Sequence, residues 1–538
     1  MKTILGLNGI PLQGHDPAAA IIVNNKVVAA VEEERLCRKK RGMGLSPDNA
    51  ALEVVKLAGI SPKDIDIVAI PWIPESMGYD RQHLDSNIRK WLLSLGFRGN
   101  DIEICFVEHH TAHAWSGLSY TSDLKGKKYS ILVVDGSGES TGGAAFIFNN
   151  DLKCLWHIEQ SSSLGIYYEA VSSYIGFNWG EEGKTMGLAS YGRNLGLKMP
   201  QIPDERRVSI IGNWDMALGS PKHRHEKYRS QIVDSIYEIH GQPLHFNDKA
   251  DISLAAQNIV SERIMKYVKE LCVDVDGFVL AGGVALNCSI NVSVAQYCKA
   301  NNIDFVIPPP ASDTGVALGA AIAANYIYNG NVAYTKSPYL GASYSIDDIC
   351  SRLHKTNIQV IPVSTEEIVS MLFDYNYICG WFDGRSEIGP RALGHRCIIA
   401  RPDSTYIRDK INVLKGRESW RPLAPSVTIQ EFNKSYTDSI PSKYMLINAI
   451  NQTYSKALAG VTHVDGTARP QVVTEEGAYL SLIKSAGKIA GGCEAIICTS
   501  FNMAGEPIVY SPEDAINSAS KMGLDAVVGN GWMVKLKK

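Results

Sequence analysis

The sequence lacks the features that mark membrane, secreted or nucleic-acid-binding proteins. It has no run of about 18 apolar residues that would form a transmembrane helix. Its formal net charge is -3 over 538 residues, which gives no support for binding to nucleic acid or to a membrane surface. The apolar part of the first segment, MKTILGLNGI, is too short for a signal peptide, so we interpret this segment as a buried first strand.

Paired cysteines and low-complexity segments are also absent. The 11 cysteines are scattered, odd in number, and contain no CxxC pair. This pattern is typical of reduced thiols, so we expect a cytoplasmic protein. The chain is longer than one ordinary hydrophobic core requires, which predicts two or three domains.

The first part of the chain contains one pattern twice: strand, polar or glycine loop, hairpin, strand. The segment AAAIIVNNKVVAAV predicts the first hairpin, with Asn24 and Asn25 as its turn. A helix follows, with Ser46 as its predicted N-cap. The strand and hairpin pattern returns near Tyr129, again with an Asn-Asn turn. This internal repeat predicts a duplicated fold with a cleft between its halves.

The second part of the chain is predicted to be a separate α/β unit. Residues 336–344 are typical of a linker, and residues 350–538 contain new strand patterns. The predicted strands are YICGWF, CIIA and AIICTSFN. The fold class expected for the whole chain is therefore α/β, in two parts.

A candidate metal site lies in the segment VEHHTAHAWSG. His109 and His113 are separated by four residues, so a helix would direct both imidazoles to one face. Asp135 ends an apolar strand, and Asp313 lies in a Ser-Asp-Thr-Gly loop. Two histidines and two aspartates suit a borderline ion such as Fe(II) or Zn(II). A histidine pair that only packs, or lies on the surface, is the competing interpretation.

Small residues after strands provide candidate nucleotide contacts. Such residues let the backbone approach a phosphate and donate N–H groups to it, particularly at the start of a helix. The candidates are Gly136, Gly138, Lys184, Gly282, Gly283 and Asn287. Ordinary tight turns are the alternative.

The loop after the first strand, NGIPLQGHDPAAA, contains His15 and Asp16. A histidine beside a cleft is suited to act as a general base or to position an acceptor hydroxyl. The alternative is structural: Asp16 caps a turn and His15 is satisfied by its neighbours.

The stretch from Gly389 to Pro425 is rich in cations. Arg391, Arg396, Lys415, Arg417 and Arg421 lie among glycines, prolines and a tryptophan. Guanidinium groups bind phosphate bidentately, and lysine adds a mobile charge. The predicted pocket combines Arg391, Lys415, Arg421 and Arg469 with Ser500 and Asn502. It would bind a triphosphate with a second small anion and stabilise charge developing on phosphorus. Separate surface cations are the alternative.

These motifs together resemble one family. In chain order they are NGIPLQGHDPAAA, VEEERLCRKKRG, VEHHTAHA, DGSGE, EGKTMGLASYG, GGVALNCSIN, PASDTGVALGAA, GRSEIGPRALGHR, KGRESWRPLAP, DGTARPQ and TSFNMAGEPIV. They span essentially the whole chain, and their order is that of the O-carbamoyltransferases of antibiotic and nodulation-factor pathways. Many relatives have a serine just after the His-Asp pair, where this chain has Pro17 and alanines.

The resemblance implies a two-domain enzyme. Residues 1–340 would form an actin-like (ASKHA) carbamoyl-transfer domain, and residues 350–538 a YrdC-like domain that makes carbamoyl-adenylate from carbamoyl phosphate and ATP. The implied metal ligands are His109, His113, Asp135 and Asp313. The implied catalytic residues are His15, Asp16, Arg391, Lys415 and Arg421. The implied cofactors are Fe(II), or another divalent ion such as Zn or Mn, and Mg²⁺ with ATP.

The implied acceptor is a hydroxylated small molecule, and neither nucleic acid nor membrane is expected as a partner. We expect the acceptor pocket in residues 74–100 and 212–248, which carry the fewest family motifs. A homo-oligomer is compatible with the sequence. Two other classes stay open: a related enzyme that carbamoylates a macromolecule, by tRNA threonylcarbamoylation or hydrogenase maturation, and a non-catalytic ASKHA-type nucleotide sensor. The net charge of -3 and the absence of CxxC pairs argue against the first class.

Overall fold

The computed structural model of the chain describes residues 1–10, 14–99, 101–208, 220–243, 245–356, 358–437, 439–452 and 456–536. The chain forms two compact units. The first comprises residues 1–33 and 41–338, and the second comprises residues 34–40 and 339–538. A short N-terminal segment therefore belongs to the second unit, which a division of the chain near residue 340 does not anticipate. Among the described residues, no helix has both the length and the apolar character needed to cross a membrane.

The first unit is built on two sheets. The strands up to residue 338 are β1 (Ile4–Asn8), β2 (Ala18–Val23), β3 (Lys26–Glu32), β4 (Ile67–Ile70), β5 (Glu103–Phe106), β6 (Tyr129–Gly138), β7 (Thr141–Phe148), β8 (Leu152–Glu159), β9 (Arg206–Arg207), β10 (Gly277–Ala281) and β11 (Asp304–Val306). The short helix α1 (Glu33–Cys37) lies almost wholly in the segment that belongs to the second unit. The α-helices of the first unit are α2 (Asp48–Leu57), α3 (Arg81–Ser94), α4 (His109–Leu118), α5 (Leu164–Tyr174), α6 (Glu182–Ala189), α7 (Pro221–His240), α8 (Phe246–Leu271), α9 (Cys288–Ala300) and α10 (Val316–Asn329).

The two sheets repeat one topology, as the sequence repeat predicts. The first has the order β3-β2-β1-β4-β5, and the second has the order β8-β7-β6-β10-β11, with β9 added beside β8. In both sheets the first three strands form antiparallel pairs and the last two run parallel to the central strand. The predicted fold class is confirmed: the chain is α/β, and its first unit duplicates one actin-like sheet.

Local signals predict the first hairpin correctly and the cap of the next helix incorrectly. Asn24 and Asn25 both have positive φ, as a tight turn between β2 and β3 requires. Ser46 does not cap α2, which begins after Pro47 without a capping side chain from its own segment. The carboxylate of Glu33 accepts the Ala50 backbone N–H instead, at 2.7 Å. A residue distant in sequence therefore replaces the local cap, which sequence spacing does not reveal.

The small residues of α10 allow close packing on both sides of this helix. A Cβ on Gly319 would lie 1.8 Å from the Ala112 carbonyl oxygen of α4, and a Cβ on Gly6 of β1 would lie 2.0 Å from the Ala317 carbonyl oxygen of α10. Any larger residue at Gly6 or Gly319 would therefore push these elements apart. This close approach fixes the start of α10 relative to α4.

The second unit contains a mixed eight-stranded sheet and a small three-stranded sheet. Its strands are β12 (Ile361–Pro362), β13 (Cys379–Phe382), β14 (Arg396–Ala400), β15 (Ala424–Val427), β16 (Tyr436–Thr437), β17 (Ala449–Asn451), β18 (Thr467–Ala468), β19 (Gln471–Val472), β20 (Ala495–Ser500), β21 (Ala526–Gly529) and β22 (Trp532–Lys535). Its helices are α11 (Ile346–His354), α12 (Thr365–Phe373), α13 (Thr405–Leu414), α14 (Ile429–Ser435), α15 (Ala478–Ile489) and α16 (Pro512–Met522).

The large sheet has the order β12-β22-β21-β13-β14-β20-β15-β19, and the small sheet has the order β16-β17-β18. The three strands predicted from sequence correspond to β13, β14 and β20, which are buried at or near the centre of the large sheet. Apolar side chains cover both faces of this sheet and form two hydrophobic clusters. The second unit therefore has its own core.

Candidate functional site

The first candidate site begins with α4, which carries His109 and His113. The side chain of Glu108 caps this helix by accepting the backbone N–H groups of His110 and Thr111. The cap fixes the first turn, so the two imidazoles project from one face of α4 as the i, i+4 spacing predicts. Both histidines are buried.

Asp135 reaches the same point from the end of the central strand β6. Its Oδ1 atom accepts the Gly136 N–H at 2.8 Å and the Gly283 N–H at 3.2 Å. These two backbone groups orient the carboxylate, leaving Oδ2 to face the histidines. Two N–H groups that the sequence suggests for phosphate therefore bind Asp135 in this structure.

The four predicted metal ligands lie in one cluster. His109 Nε2 is 3.3 Å from Asp135 Oδ2 and 3.7 Å from Asp313 Oδ1. His113 Nε2 is 3.3 Å from Asp135 Oδ2 and 3.4 Å from Asp313 Oδ1. One donor atom from each of the four residues lies within 4.8 Å of all the others. The fold thus brings together residues from three separate segments.

In this cluster, the carboxylates favour the protonated histidines and the histidines favour the ionised carboxylates. Burial alone lowers the pKa of His109, but the Asp313 and Asp135 carboxylates raise it well above its ordinary value. Burial raises the pKa of Asp135, but the neighbouring imidazoles of His109 and His113 bring it well below its ordinary value. Carboxylates with such low pKa values stay ionised in a buried position, which suits a bound cation.

The donor set fits a divalent transition metal. Two imidazole nitrogens and two carboxylate oxygens are the mixed ligands that Fe(II) and Zn(II) accept. Among the described residues, none forms a hydrogen bond of good geometry with either ring nitrogen of the buried His113. A buried imidazole with unused nitrogen atoms is costly unless another group occupies the site.

His15 lies at the edge of this cluster. Its Nδ1 atom is 3.0 Å from Asp16 Oδ2, and its Nε2 atom is 3.7 Å from Asp313 Oδ2. Because a carboxylate can only accept, Nδ1 carries the proton and the second nitrogen faces the site. The His15 side chain is 40% exposed, so it is also open to solvent. Burial lowers the pKa of His15, whereas Asp16 and Asp313 raise it, with a raised value as the net result.

The remaining predicted contacts of the first unit have structural partners. A Cβ on Gly138 would lie 2.5 Å from the His109 ring, so this glycine makes room for a predicted ligand. Gly282 has a φ of 89°, a left-handed backbone conformation that favours glycine, so a structural reason also accounts for glycine at this position. Asn287 caps α9 through Ile290 N and exchanges hydrogen bonds with Gln257. Lys184 Nζ pairs with Glu181 at 2.6 Å. These contacts leave nucleotide binding at Gly136, Gly138, Lys184, Gly282, Gly283 and Asn287 as a prediction.

One residue beside this site was not identified from sequence. His225 of α7 pairs with Glu169 of α5 at 2.8 Å, and a Cβ on Gly136 would lie 3.8 Å from its ring. It falls within residues 212–248, one of the two segments expected to form the acceptor pocket. Residues 100, 212–219 and 244 of those segments lie outside the described residues. α7 also contains His223 and His240, and the sequence gives no signal that separates His225 from them.

The second candidate site is centred on Lys415, which is buried at the end of α13. Its ammonium group donates to the Ser500 and Asn502 carbonyl oxygens and lies 3.4 Å from Ser500 Oγ. In return, the Lys415 carbonyl oxygen accepts the Ala504 N–H. Three predicted residues, Lys415, Ser500 and Asn502, therefore meet where β20 ends.

Arginine side chains surround this lysine. Burial lowers the pKa of Lys415 well below its ordinary value, and nearby Arg417 and Arg421 lower it further. Burial also lowers the pKa of Arg417. The cations that lower the pKa of Arg417 further are Arg421, Arg469 and Arg391. Arg417 therefore lies close to Lys415 and to the three other predicted cations, and Arg421 also lies close to Lys415. The KxR spacing of Lys415 and Arg417 is the sequence signal that could have identified Arg417 as a member of the pocket.

The loop that carries Arg391 is held by buried polar contacts. Glu387 accepts the Leu393 N–H at 2.8 Å and the Arg396 N–H at 3.3 Å. From the N-terminal segment, buried Arg35 donates to the Gly389 carbonyl oxygen at 2.6 Å. This contact explains in part why residues 34–40 belong to the second unit. Arg35 was not predicted as part of the site.

Arg396 does not belong to the anion pocket, although it lies in the cation-rich stretch. It is fully buried, and its guanidinium stacks 3.8 Å above the Phe382 ring. It donates to backbone carbonyl oxygens of Asp383, His395 and Ala342. The terminal nitrogen atoms of Arg396 therefore bind backbone carbonyl oxygens. Sequence composition alone does not separate it from the arginines predicted to bind phosphate.

Comparison with known proteins agrees with this arrangement. The family model for the carbamoyltransferase N-terminus matches residues 4–83 and 92–322, and that for the carbamoyltransferase C-terminus matches residues 370–536. The chain is 30% identical to nodulation protein NolNO of Sinorhizobium fredii, over 97% of this chain and 79% of that protein. It is 25% identical to 3'-hydroxymethylcephem-O-carbamoyltransferase of Streptomyces clavuligerus, over 96% of this chain and 97% of that protein.

Among solved structures, full-length HypF in its phosphate- and nucleotide-bound form matches 62% of this chain and 56% of its own, with 15% identity and a TM-score of 0.38, too low to support an argument. The family models, by contrast, cover most of both units, and their two halves follow in the order of the two candidate sites. The chain belongs to the carbamoyltransferase family.

Proposed function

We propose that this protein is an ATP-dependent O-carbamoyltransferase that acts on a hydroxyl group of a small molecule. The observation that carries the proposal is the buried Lys415, held by Ser500 and Asn502 and surrounded by arginines, in a chain of the carbamoyltransferase family. Such a concentration of buried positive charge is costly unless it binds a polyanion.

The first half-reaction would occur in the second unit. One water molecule hydrolyses carbamoyl phosphate to carbamate and inorganic phosphate, and a carbamate oxygen then attacks the α-phosphorus of ATP. Pyrophosphate leaves, and carbamoyl-adenylate forms. Lys415, Arg391, Arg421 and Arg469 would neutralise charge on the phosphates, with Mg²⁺ accompanying ATP. Because Arg417 lies close to these cations, we add it to this pocket.

The second half-reaction would occur in the first unit, at the cluster of His109, His113, Asp135 and Asp313. Fe(II), or another divalent ion, held there would supply Lewis-acid chemistry to the carbamoyl carbonyl or anchor phosphate oxygens. His15 would accept the proton of the acceptor hydroxyl at Nε2 while Asp16 holds Nδ1. The acceptor oxygen then bonds to the carbamoyl carbon, and AMP leaves.

The acceptor class follows from the relatives. The Streptomyces relative is named for a hydroxymethyl acceptor, and others are named as nodulation proteins. The name of the Streptomyces relative, together with the net charge of -3, supports a small hydroxylated acceptor rather than tRNA. We expect residues 74–100 and 212–248 to select it, with His225 contributing near Gly136.

The test is to incubate the purified protein with ATP, carbamoyl phosphate and Mg²⁺, first without an acceptor and then with a panel of hydroxylated acceptors. Mass spectrometry should detect carbamoyl-adenylate with pyrophosphate, and a carbamate ester when the acceptor is correct. Formation of adenylate with transfer only to tRNA or protein would instead support a macromolecular acceptor. Binding of ATP with no turnover under any of these conditions would contradict the enzyme assignment.

A further inference from the structure

A second group of metal-binding side chains lies beside the first candidate site but does not belong to it. It consists of Glu108, the capping residue of α4, His110 in the first turn of α4, and His157 on β8. One donor atom from each lies within 4.8 Å of the other two. His110 and His157 are 0% and 4% exposed, so the group is buried. We name it the Glu108 cluster.

The Glu108 cluster is distinct from the four-residue cluster because its ligand atoms come from different residues. His109 and His110 are adjacent, but their rings are inclined by 76° with centroids 5.4 Å apart. His109 faces Asp135 and Asp313, whereas His110 Nδ1 faces Glu108 Oε1 at 3.4 Å. Neighbouring residues on one helix turn thus point to two separate places.

Hydrogen bonding inside the described protein does not satisfy this group. His157 Nε2 contacts Cys154 Sγ at 3.2 Å, but no described residue bonds to the buried Nδ1 atom of His157. His110 Nδ1 contacts Thr141 Oγ1 at 3.1 Å, and its buried Nε2 atom has no partner among the described residues. Two buried imidazoles with unused nitrogens beside a carboxylate require an explanation.

A second buried carboxyl group lies near the cluster. Glu139 is 5% exposed, and its Oε1 atom accepts the Ile73 N–H at 2.7 Å. Its Oε2 atom is buried without a hydrogen-bond partner among the described residues. The residue also has a φ of 49°, a conformation that non-glycine residues adopt at a cost. The Oε2 atom is thus a further buried polar atom that the described hydrogen bonds do not satisfy.

We propose that Glu108, His110 and His157 form a second divalent-metal site, with the donor set of Zn(II). Two imidazole nitrogens and one glutamate oxygen match known three-ligand zinc sites, in which water occupies the fourth position. In a tetrahedral site, ligand atoms about 2.1 Å from the ion lie about 3.4 Å apart. The donor atoms of the cluster lie within 4.8 Å of one another, so they would need to approach by at most about 1.4 Å.

A metal ion at this site would connect two elements of the first unit. It would link β8 to the first turn of α4, which carries His109 and His113. The second ion would therefore hold the helix that presents the first pair of histidines. This role is independent of the acceptor and of carbamoyl chemistry.

The experiment counts metal ions in the full-length protein. We load four proteins with Zn(II) and desalt them: wild type, His157→Gln, Thr141→Val and His109→Ala. Zinc is then quantified by mass spectrometry, and the molar ratio of zinc to protein is calculated for each. Thr141→Val is the matched control, because it removes the hydrogen bond to His110 but no proposed ligand. We expect about two zinc ions in wild type and Thr141→Val, and about one in each histidine variant.

An equal zinc content in wild type and His157→Gln would overturn the proposal, whatever the value. If His157→Gln does not fold, titration of wild type with Zn(II) against a chromophoric chelator decides the question. Two tight equivalents support the second site. One equivalent, lost in His109→Ala, means that the Glu108 cluster is only a hydrogen-bonded network.

Discussion

The two candidate sites have opposite electrostatic character. In the first unit, two aspartates and two histidines share one buried point, and each charge stabilises the others. In the second unit, a buried lysine lies beside arginines, and each charge destabilises the others. The first arrangement would suit a bound cation, and the second would suit a bound polyanion.

This electrostatic difference indicates how each unit would bind its ligand, a metal ion in the first unit and phosphates in the second. In the first unit, carboxylates that are already ionised would hold a divalent ion. In the second unit, the phosphates themselves would remove the repulsion among the cations, so substrate binding and charge neutralisation would be one event. The half-reactions should therefore respond differently to substitutions, and the following predictions test that difference.

The largest effect is expected from Lys415→Ala. Because the ammonium group lies at the centre of the cationic pocket, its loss should reduce pyrophosphate release at least about 100-fold. A steady-state pyrophosphate assay with ATP and carbamoyl phosphate measures this. Lys484→Ala, which removes an exposed lysine of the same unit, should behave as wild type. A folded Lys415→Ala protein with normal pyrophosphate release would contradict the role of the pocket.

His109→Ala should separate metal binding from adenylate formation. The substitution removes one of four clustered donors, so about one equivalent of metal should be lost while pyrophosphate release continues. Metal analysis of the desalted protein measures the loss. His83→Ala, an exposed histidine on α3, is the control. Retention of the full wild-type metal content in His109→Ala would contradict the ligand assignment.

The pH dependence of ATP binding should reveal the lowered pKa of Lys415. Because the folded-state pKa lies below the ordinary lysine value, the ammonium group loses its proton at a lower pH than a free lysine. ATP affinity should therefore fall as pH rises through that lowered pKa. Phosphate binding favours the charged form, so binding in this range should take up protons.

Calorimetry of ATP binding in buffers of different ionisation enthalpy measures that proton uptake. Lys415→Arg, which retains its charge to higher pH, should bind without it. Equal proton uptake by wild type and Lys415→Arg would show that another group titrates.

Gly319→Ala should give the smallest effect, on the stability of the first unit. The new Cβ would meet the Ala112 carbonyl oxygen at 1.8 Å, so α4 and α10 must separate, at a cost of about 1–3 kcal/mol. A lower thermal midpoint of the first unit is expected. Gly183→Ala, a helical glycine with no described heavy atom within 4 Å of its Cβ position, should be neutral or slightly stabilising. Equal midpoints for both variants would contradict this packing argument.

The sequence predicts local features well, because they depend on spacing within one segment. His109 and His113 need only one helix, and the repeated strand pattern predicts the duplicated sheets. Sequence patterns do not predict a partner that comes from a distant part of the chain. Glu33 replaces Ser46 as the cap of α2, and Gly283 N–H binds Asp135 instead of remaining available to phosphate.

The arginines show the same limit of prediction from sequence. Arg396 and Arg417 occur in one stretch and are chemically identical, but one holds backbone carbonyls in the core and the other joins the cationic pocket. Arg35 reaches the loop of Arg391 from the far end of the chain. Burial and partners are properties of the folded chain, so composition alone does not assign these arginines.

The central claim is that the two sites perform two separable half-reactions, and one paired assay tests it most directly. His109→Ala and Lys415→Ala are each given ATP, carbamoyl phosphate, Mg²⁺ and a productive acceptor, and pyrophosphate and carbamate ester are measured together. We expect His109→Ala to release pyrophosphate without forming the ester, and Lys415→Ala to form neither. Loss of pyrophosphate release in a folded His109→Ala protein, or ester formation by Lys415→Ala, would contradict the division of the reaction between the two sites.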